Sequence, residues 1–217
     1  DIIAAPVFTG DTLFTKSIKC FGDNDGIIRF TSNGGTDPIE FSIDGGTTWS
    51  TDSLYTNLTP GNYDVEIRDD NGCSIDPGVV AIDEPAEFLI DNIATTDLIC
   101  FNDSIGEIVV NLTGGSAPFE YSIDGGTTYQ SSTTFSDFDG GSYSVVAVDD
   151  SGCTVGPDPV TLNEPTEVIL SLDASTDLTC SNSDDGTITL SASGGTVTTP
   201  ADYEFSIDSG ATWQSSG

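Results

Sequence analysis

Residues 119–123 read Phe-Glu-Tyr-Ser-Ile, and residues 143–148 read Tyr-Ser-Val-Val-Ala-Val. In the first run Phe119, Tyr121 and Ile123 share one face of an extended chain; in the second Tyr143, Val145 and Ala147 do. The period is two, that of a strand, and not the 3.6 of a helix. Upstream, Glu107-Ile-Val-Val-Asn-Leu-Thr113 reads as another strand, stopped at Gly114-Gly115. Clusters of Gly, Asp, Asn, Ser and Pro separate these runs at short intervals, as in an antiparallel sandwich. No stretch carries a capped helical stripe.

Working outward, the same runs recur. Cys20, Cys100 and Cys180 are spaced by 80 residues, as are Cys73 and Cys153. Gly34-Gly35 matches Gly114-Gly115, Gly61-x-Tyr63 matches Gly141-x-Tyr143, and Glu84-Pro85 matches Glu164-Pro165. Repetition of this length means a chain of similar modules, with the Glu-Pro pairs as joints because proline stops a strand. The expected fold is all-β: tandem immunoglobulin-like β-sandwich repeats of about 80 residues. Repeat 1 spans 1–85, repeat 2 spans 86–165, and 166–217 is the N-terminal half of repeat 3. The third copy has ten residues from Gly195 to Phe205 where the first has six from Gly35 to Phe41. About seven short strands are expected per repeat, with A near 87–95, B at 106–113, C at 118–124, F at 142–149 and G at 153–162. Tyr63 and Tyr143 sit where a tyrosine corner opens strand F. A half sandwich exposes its core face, so 166–217 is expected to need downstream chain or a partner to cover it.

The charge is one-sided. The 217 residues hold 36 Asp+Glu against 4 Lys+Arg, for a net charge of −32, and no basic residue follows Arg68. Such a surface repels phosphate backbones and anionic lipid, so no nucleic-acid partner is expected. There is no His, which removes Ser–His catalysis and His-ligated zinc. With 36% hydrophobic and 9% aromatic residues the acidity belongs to a folded surface, not to a disordered tail. The absence of Met marks the sequence as an internal or processed piece of a longer chain. No apolar run is long enough to span a membrane as a helix.

The sharpest local motif is Ser42-Ile-Asp44-Gly-Gly46-Thr-Thr48-Trp49. It returns as Ser122 to Tyr129, with Asp124, and as Ser206 to Trp213, with Asp208. This Ser-x-Asp-x-Gly-x-Thr-aromatic pattern resembles the Asp box of sialidase propeller hairpins. Asp accepts hydrogen bonds from the turn's own backbone, Gly supplies positive φ, and the aromatic packs across the hairpin. A sialidase clamps its substrate carboxylate with several arginines, and only Arg29 and Arg68 are present. The motif therefore reads as a structural staple, with sugar stacking on Trp49, Tyr129 or Trp213 as the rival reading. Short sandwich loops also form no deep pocket to raise a carboxyl pKa, so no catalytic residue and no enzyme activity are expected.

Asp23-Asn24-Asp25-Gly26 has the oxygen-rich look of a calcium loop, but its second copy reads Asp103-Ser-Ile-Gly106. Asp69-Asp70 and Asp149-Asp150 recur more faithfully at the F–G turn, where an Asx turn competes with a metal site. No cofactor is required; Ca2+ on Asp23, Asp25, Asp69, Asp70, Asp149 and Asp150 stands as the structural-ion alternative. Divalent cations would relieve repulsion among the acids. Asn57-Leu-Thr59 and Asn111-Leu-Thr113 match the N-glycan sequon.

The ordered set Cys20…Gly26-Ile27-Ile28, Gly34-Gly35-Thr-Asp-Pro38, Gly61-Asn-Tyr63-Asp-Val65, Asp70-Asn-Gly72-Cys73 and Glu84-Pro85 resembles the SprB-repeat family over the whole chain. Those modules occur in very large surface adhesins of gliding Bacteroidota. The resemblance implies export by the type 9 secretion system, display on the cell exterior, and the gliding machinery and neighbouring repeats as partners. It supplies neither ligand nor active site. Thr12, Ser53 and Ser104 match the Asp-Ser/Thr-apolar O-glycan acceptor pattern of that phylum. The expected function is a rod that projects a binding tip for attachment and gliding. The alternative is a carbohydrate-binding array on a secreted polysaccharide-degrading enzyme, with surface polysaccharide as ligand.

Regular cysteines in an exported β-repeat favour disulfides. Pairing within a repeat, Cys20–Cys73 and Cys100–Cys153, conflicts with the topology: the first cysteine sits in the A–B connection and the second beyond the F–G turn. A strand of roughly 23 Å separates those ends, against a bonded Cα spacing of about 4.4–6.8 Å. The staggered pair Cys20–Cys153, joining adjacent repeats, is favoured, with the within-repeat pairing as its alternative.

Overall fold

The computed structural model describes residues 12–197, 199 and 202–215. All regular structure among them is β. Repeat 1 forms β1 (Thr12–Lys16), β2 (Gly26–Thr31), β3 (Glu40–Ser42), β4 (Leu54–Leu58), β5 (Gly61–Arg68) and β6 (Ser74–Ile82). These make two three-stranded antiparallel sheets, β1-β2-β4 and β3-β5-β6. In immunoglobulin terms they are A-B-E and C-F-G. Repeat 2 repeats the plan with β7 (Leu89–Thr96), β8 (Gly106–Thr113), β9 (Glu120–Ser122), β10 (Thr134–Phe138), β11 (Gly141–Val148) and β12 (Thr154–Leu162). Its sheets are β10-β8-β7 and β12-β11-β9.

Six strands form per repeat where seven were expected. The chain between C and E is spent on the Asp-box turn, which returns at the Phe41–Ser50 and Tyr121–Gln130 bridges and leaves no length for a D strand.

The alternating pattern decides which side chains are buried. In β2, Ile28 and Phe30 face inward at 0% and 2% exposure. They meet Phe41, Val65, Ile67 and Ile82 from the facing sheet and the flanking Ile18. Phe30 stacks on Phe41 with centroids 5.1 Å apart. Ile108, Val110, Val145, Ala147 and Leu162 are the equivalent buried residues of repeat 2. The tyrosine corner forms in both copies: Tyr63 Oη donates to the Thr59 carbonyl and Tyr143 Oη to the Asp139 carbonyl, each at 2.9 Å. Gly26 and Gly106 begin strand B where nothing larger fits. A Cβ on Gly106 would lie 2.6 Å from Leu162 Cδ1 and 2.7 Å from the Phe138 carbonyl oxygen.

Residues from Thr166 onward give β13 (Thr166–Thr176), β14 (Thr187–Gly195) and the third Asp-box turn. Strands β13 and β14 pair only with each other. Val168, Leu170, Leu172 and Ile188 are 54–64% exposed. Ile188 holds the place of Ile28 and Ile108, both at 0%.

Two compact units follow from the packing. One runs to Leu89 and adds residues 112–119 and 148–155; the other comprises Ile90–Asn111, Glu120–Ala147 and the chain from Gly156. The first unit thus holds repeat 1 together with two loops of repeat 2.

Burial predicts unequal costs for one chemical change. Ile28→Ala should destabilise repeat 1 by about 2–5 kcal/mol, the range for emptying a packed Ile site. Ile188→Ala should stay within about 0.5 kcal/mol, as at exposed positions. Urea unfolding of the two variants checks this, and equal costs would contradict it.

Candidate functional site

Three kinds of local site recur: the Asp-box turn, the turn that ends in the second cysteine, and the loop that carries the first.

In the first Asp box Ser42 Oγ donates to Asp44 Oδ1 at 2.8 Å and accepts from Gly46 N–H at 2.9 Å. Asp44 also accepts from Thr48 N–H at 2.8 Å and from Thr48 Oγ1 at 2.6 Å. Asp124 and Asp208 make the same set with Ser122 and Thr128, and with Ser206 and Thr212. The Thr48 hydroxyl, then the Thr48 amide and the Ser42 hydroxyl, hold the Asp44 carboxyl down at about 2. Asp208 lies at about 2 for the same reasons, led by Thr212, and Asp124 is lowered with Thr128 as the main cause. Every box carboxylate is an ionised acceptor absorbed by its own turn.

The aromatic ends differ. Trp49 Nε1 donates to the Gly46 carbonyl at 2.9 Å, and Arg68 lies over the ring, 4.1 Å from its centroid. Arg68 is held by Glu40, directly across the β3–β5 ladder, with contacts of 2.6 and 2.7 Å. Tyr129 is 40% and Trp213 61% exposed. Trp213 keeps the Nε1 bond, to Gly210 at 3.1 Å.

At the F–G turn Asp69 and Asp149 are buried, each 6% exposed. Asp69 accepts from the Cys73 and Thr36 amides at 2.9 and 3.1 Å. Asp149 accepts from the Cys153 and Ser116 amides at 2.8 and 2.9 Å. Burial pushes the Asp69 carboxyl up, but the Cys73, Thr36 and Asn71 amides outweigh it and the net shift is downward. Asp70 and Asp150 donate their own amides to the Thr36 and Ser116 carbonyls. Each Asp pair thus pins its turn to the C-strand loop.

In the first cysteine loop Asp25 accepts from Lys16 Nζ at 2.6 Å and from the Lys19 amide at 2.9 Å. Asp23 is exposed, and its amide donates to the Cys20 carbonyl. Asp185 braces the third copy through Thr179 and Ser183, while Ile105 takes that place in the second. Among the described residues no group of three or more Asp, Glu, Cys or His is placed to hold a metal ion. Asp23 and Asp25 lie in the first cysteine loop, and Asp69-Asp70 and Asp149-Asp150 at the two F–G turns.

Glu84 and Glu164 are residues whose side-chain role the sequence did not reveal. Glu84 accepts from the Gly22 amide at 2.7 Å, and Glu164 from the Asn102 amide. The glutamate of each Glu-Pro joint therefore caps the cysteine loop of its own repeat. Recurrence of Glu at one position, while neighbouring acids drift, was the available signal.

Cys20 and Cys153 are bonded, with Cα atoms 5.6 Å apart and 133 residues between them in sequence. The within-repeat alternatives are not formed: Cys73 and Cys100 carry free exposed thiols, as does Cys180. Lys19 lines the same joint, since a Cβ on Gly152 would lie 3.5 Å from its Nζ. Of the acceptor hydroxyls, Ser104 is exposed and donates to Asp139, and Ser53 is half-buried with its carbonyl accepting from Phe30. Asp11 and the Thr12 side chain lie outside the described residues.

These features define two small sandwiches and a partial third copy, each with an Asp box, the first two repeats being bonded through Cys20 and Cys153. The chain belongs to the SprB-repeat family: the family profile for the SprB repeat matches residues 12–48, 92–128 and 172–212. The first two matched segments run from strand A through strands B and C into the Asp box, and the third runs from β13 through β14 into its Asp box. No curated protein matches the chain. Among solved structures it is similar to the C-terminal 282-residue fragment of intimin, crystallised with the intimin-binding domain of the translocated intimin receptor. Identity is 13% and the TM-score 0.41, over 76% of this chain and 66% of that fragment. Among the described residues no helix is long and apolar enough to cross a membrane.

The box carboxylates give a pH prediction. Their folded pKa is below the unfolded value of 3.8, so their contribution is complete above about pH 4 and is lost as pH falls towards about 2. Carboxyl-carbon NMR should place the Asp44 midpoint near 2. Thr48→Val should move it upward towards 3.8, because Thr48 is the principal cause. A midpoint indifferent to that change would refute the assignment.

Proposed function

We propose that this chain is a non-enzymatic stalk segment of a very large cell-surface adhesin, a rod of repeats that carries a binding tip for attachment and gliding. The observation that carries the reading is the disulfide from Cys20, inside the first family match, to Cys153, which follows the second match in the chain. Such bonds persist in oxidising exteriors and not in reduced cytoplasm. A module with its own core lets length scale with copy number, which suits reach. The three box carboxylates are taken up by hydrogen bonds within their own turns, which supports a structural role for that motif. By family likeness, export runs through the type 9 secretion system and the gliding machinery is the partner.

Protease shaving of intact cells of the source organism tests the surface assignment. Antibody against residues 12–165 should detect the repeats on unbroken cells and lose them after external protease. Protection until lysis would reject surface display.

The second reading, a carbohydrate-binding array, is favoured by one observation: the outward Tyr129 and Trp213 rings. In affinity electrophoresis against soluble polysaccharides the purified chain should migrate unretarded. Saturable retardation abolished by Tyr129→Ala and Trp213→Ala would establish the second reading instead.

A further inference from the structure

We infer that the Cys20–Cys153 bond is the load path of the segment: it carries tension past strands β2 to β11, which hold most of the cores of repeats 1 and 2 and then bear none, while Ile18 and Leu162 stay in the loaded chain. The inference rests on the stalk reading, but its physics is set by connectivity alone.

Strand β1 lies before Cys20, and β12 follows Cys153. Everything between, from β2 to β11, lies inside the loop that the bond closes. Tension entering along β1 reaches Cys20, crosses the two sulfur atoms to Cys153, and leaves along β12. The two ends of the loop are fixed at a Cα separation of 5.6 Å. A force that cannot separate the ends of a chain segment does no work in unfolding it. Without the bond, the same 133-residue separation could extend by about 440–480 Å, at roughly 3.3–3.6 Å per residue.

Only a stagger across repeats achieves this. A bond within repeat 1, between Cys20 and Cys73, would leave residues 74–152 in the path, including β6 and the strands β7 to β11. The observed pairing removes most of the cores of both repeats at once. Cys100 and Cys180 repeat the position of Cys20, and Cys73 repeats that of Cys153. In an array bonded throughout with this stagger, load would cross residues 153–180 between successive bonds and skip the remainder.

What stays exposed to load is also defined. Strand β1 is held to β2 by its ladder and by Lys16–Asp25 at 2.6 Å, and β12 is held to β11. These two edge strands should peel first, at the cost of little added length.

Single-molecule force spectroscopy on the full 217-residue chain, pulled through terminal peptide tags free of thiol chemistry, tests the proposal. Oxidised protein should stop about 440–480 Å short of the contour reached after a dithiol reductant. The repeat-sized unfolding steps of repeats 1 and 2 should occur only in the reduced sample and in the C20S/C153S variant. The C73S/C100S variant should match the oxidised parent. If C20S/C153S fails to fold, the reduced parent supplies the comparison. An oxidised chain that reaches full contour through two repeat-sized steps would overturn the load path. The result is independent of surface display and glycan binding, which the shaving and electrophoresis experiments read, so either idea can fail without the other.

Discussion

Each repeat depends on one contact between layers, strand B of the first sheet against strand F of the second. Ile28 and Phe30 on β2 face Val65 and Ile67 on β5, and all four are at most 2% exposed. At roughly 80 residues a sandwich has one buried layer and no spare core, so this contact decides whether the module closes. In the third copy, among the described residues, β13 and β14 pair with each other and the Asp box forms, with Phe205 7% exposed.

The polar features serve the same closure from outside. Asp boxes spend their oxygens on their own turns, buried turn aspartates bond both their own turn and the C-strand loop, and the Glu-Pro glutamates cap the cysteine loop. This lets a chain of net charge −32 fold without many counter-cations, because charge-assisted bonds to the backbone replace ion pairs. The few basic side chains are used locally: Lys16 on Asp25, Arg68 between Glu40 and the Trp49 face, and Arg29 over Phe14. Acids left on the surface repel one another, most of all at low ionic strength.

The residues best conditioned to do chemistry, the low-pKa box aspartates, are tied up as acceptors. The residues that connect modules, Cys20 and Cys153, form the one covalent contact between repeats among the described residues. In the stalk reading proposed above, that bond supplies continuity under pull.

Sequence by itself determined the repeat length, the strand period, the Asp boxes and the tyrosine corners, because each is local: a period of two, a turn that needs Gly, a hydroxyl reaching a carbonyl four residues away. It did not determine strand number or the reach of Glu84, since both depend on how far the chain must travel between sheets. It also marked the core face of 166–217 as open and favoured Cys20 with Cys153. What it left undecided was which amide each carboxylate reaches. Asp69 takes the Thr36 amide and Glu84 the Gly22 amide, from loops 33 and 62 residues away in sequence. Such partners are set by what the sheets bring together in space, and that is information only the tertiary structure holds.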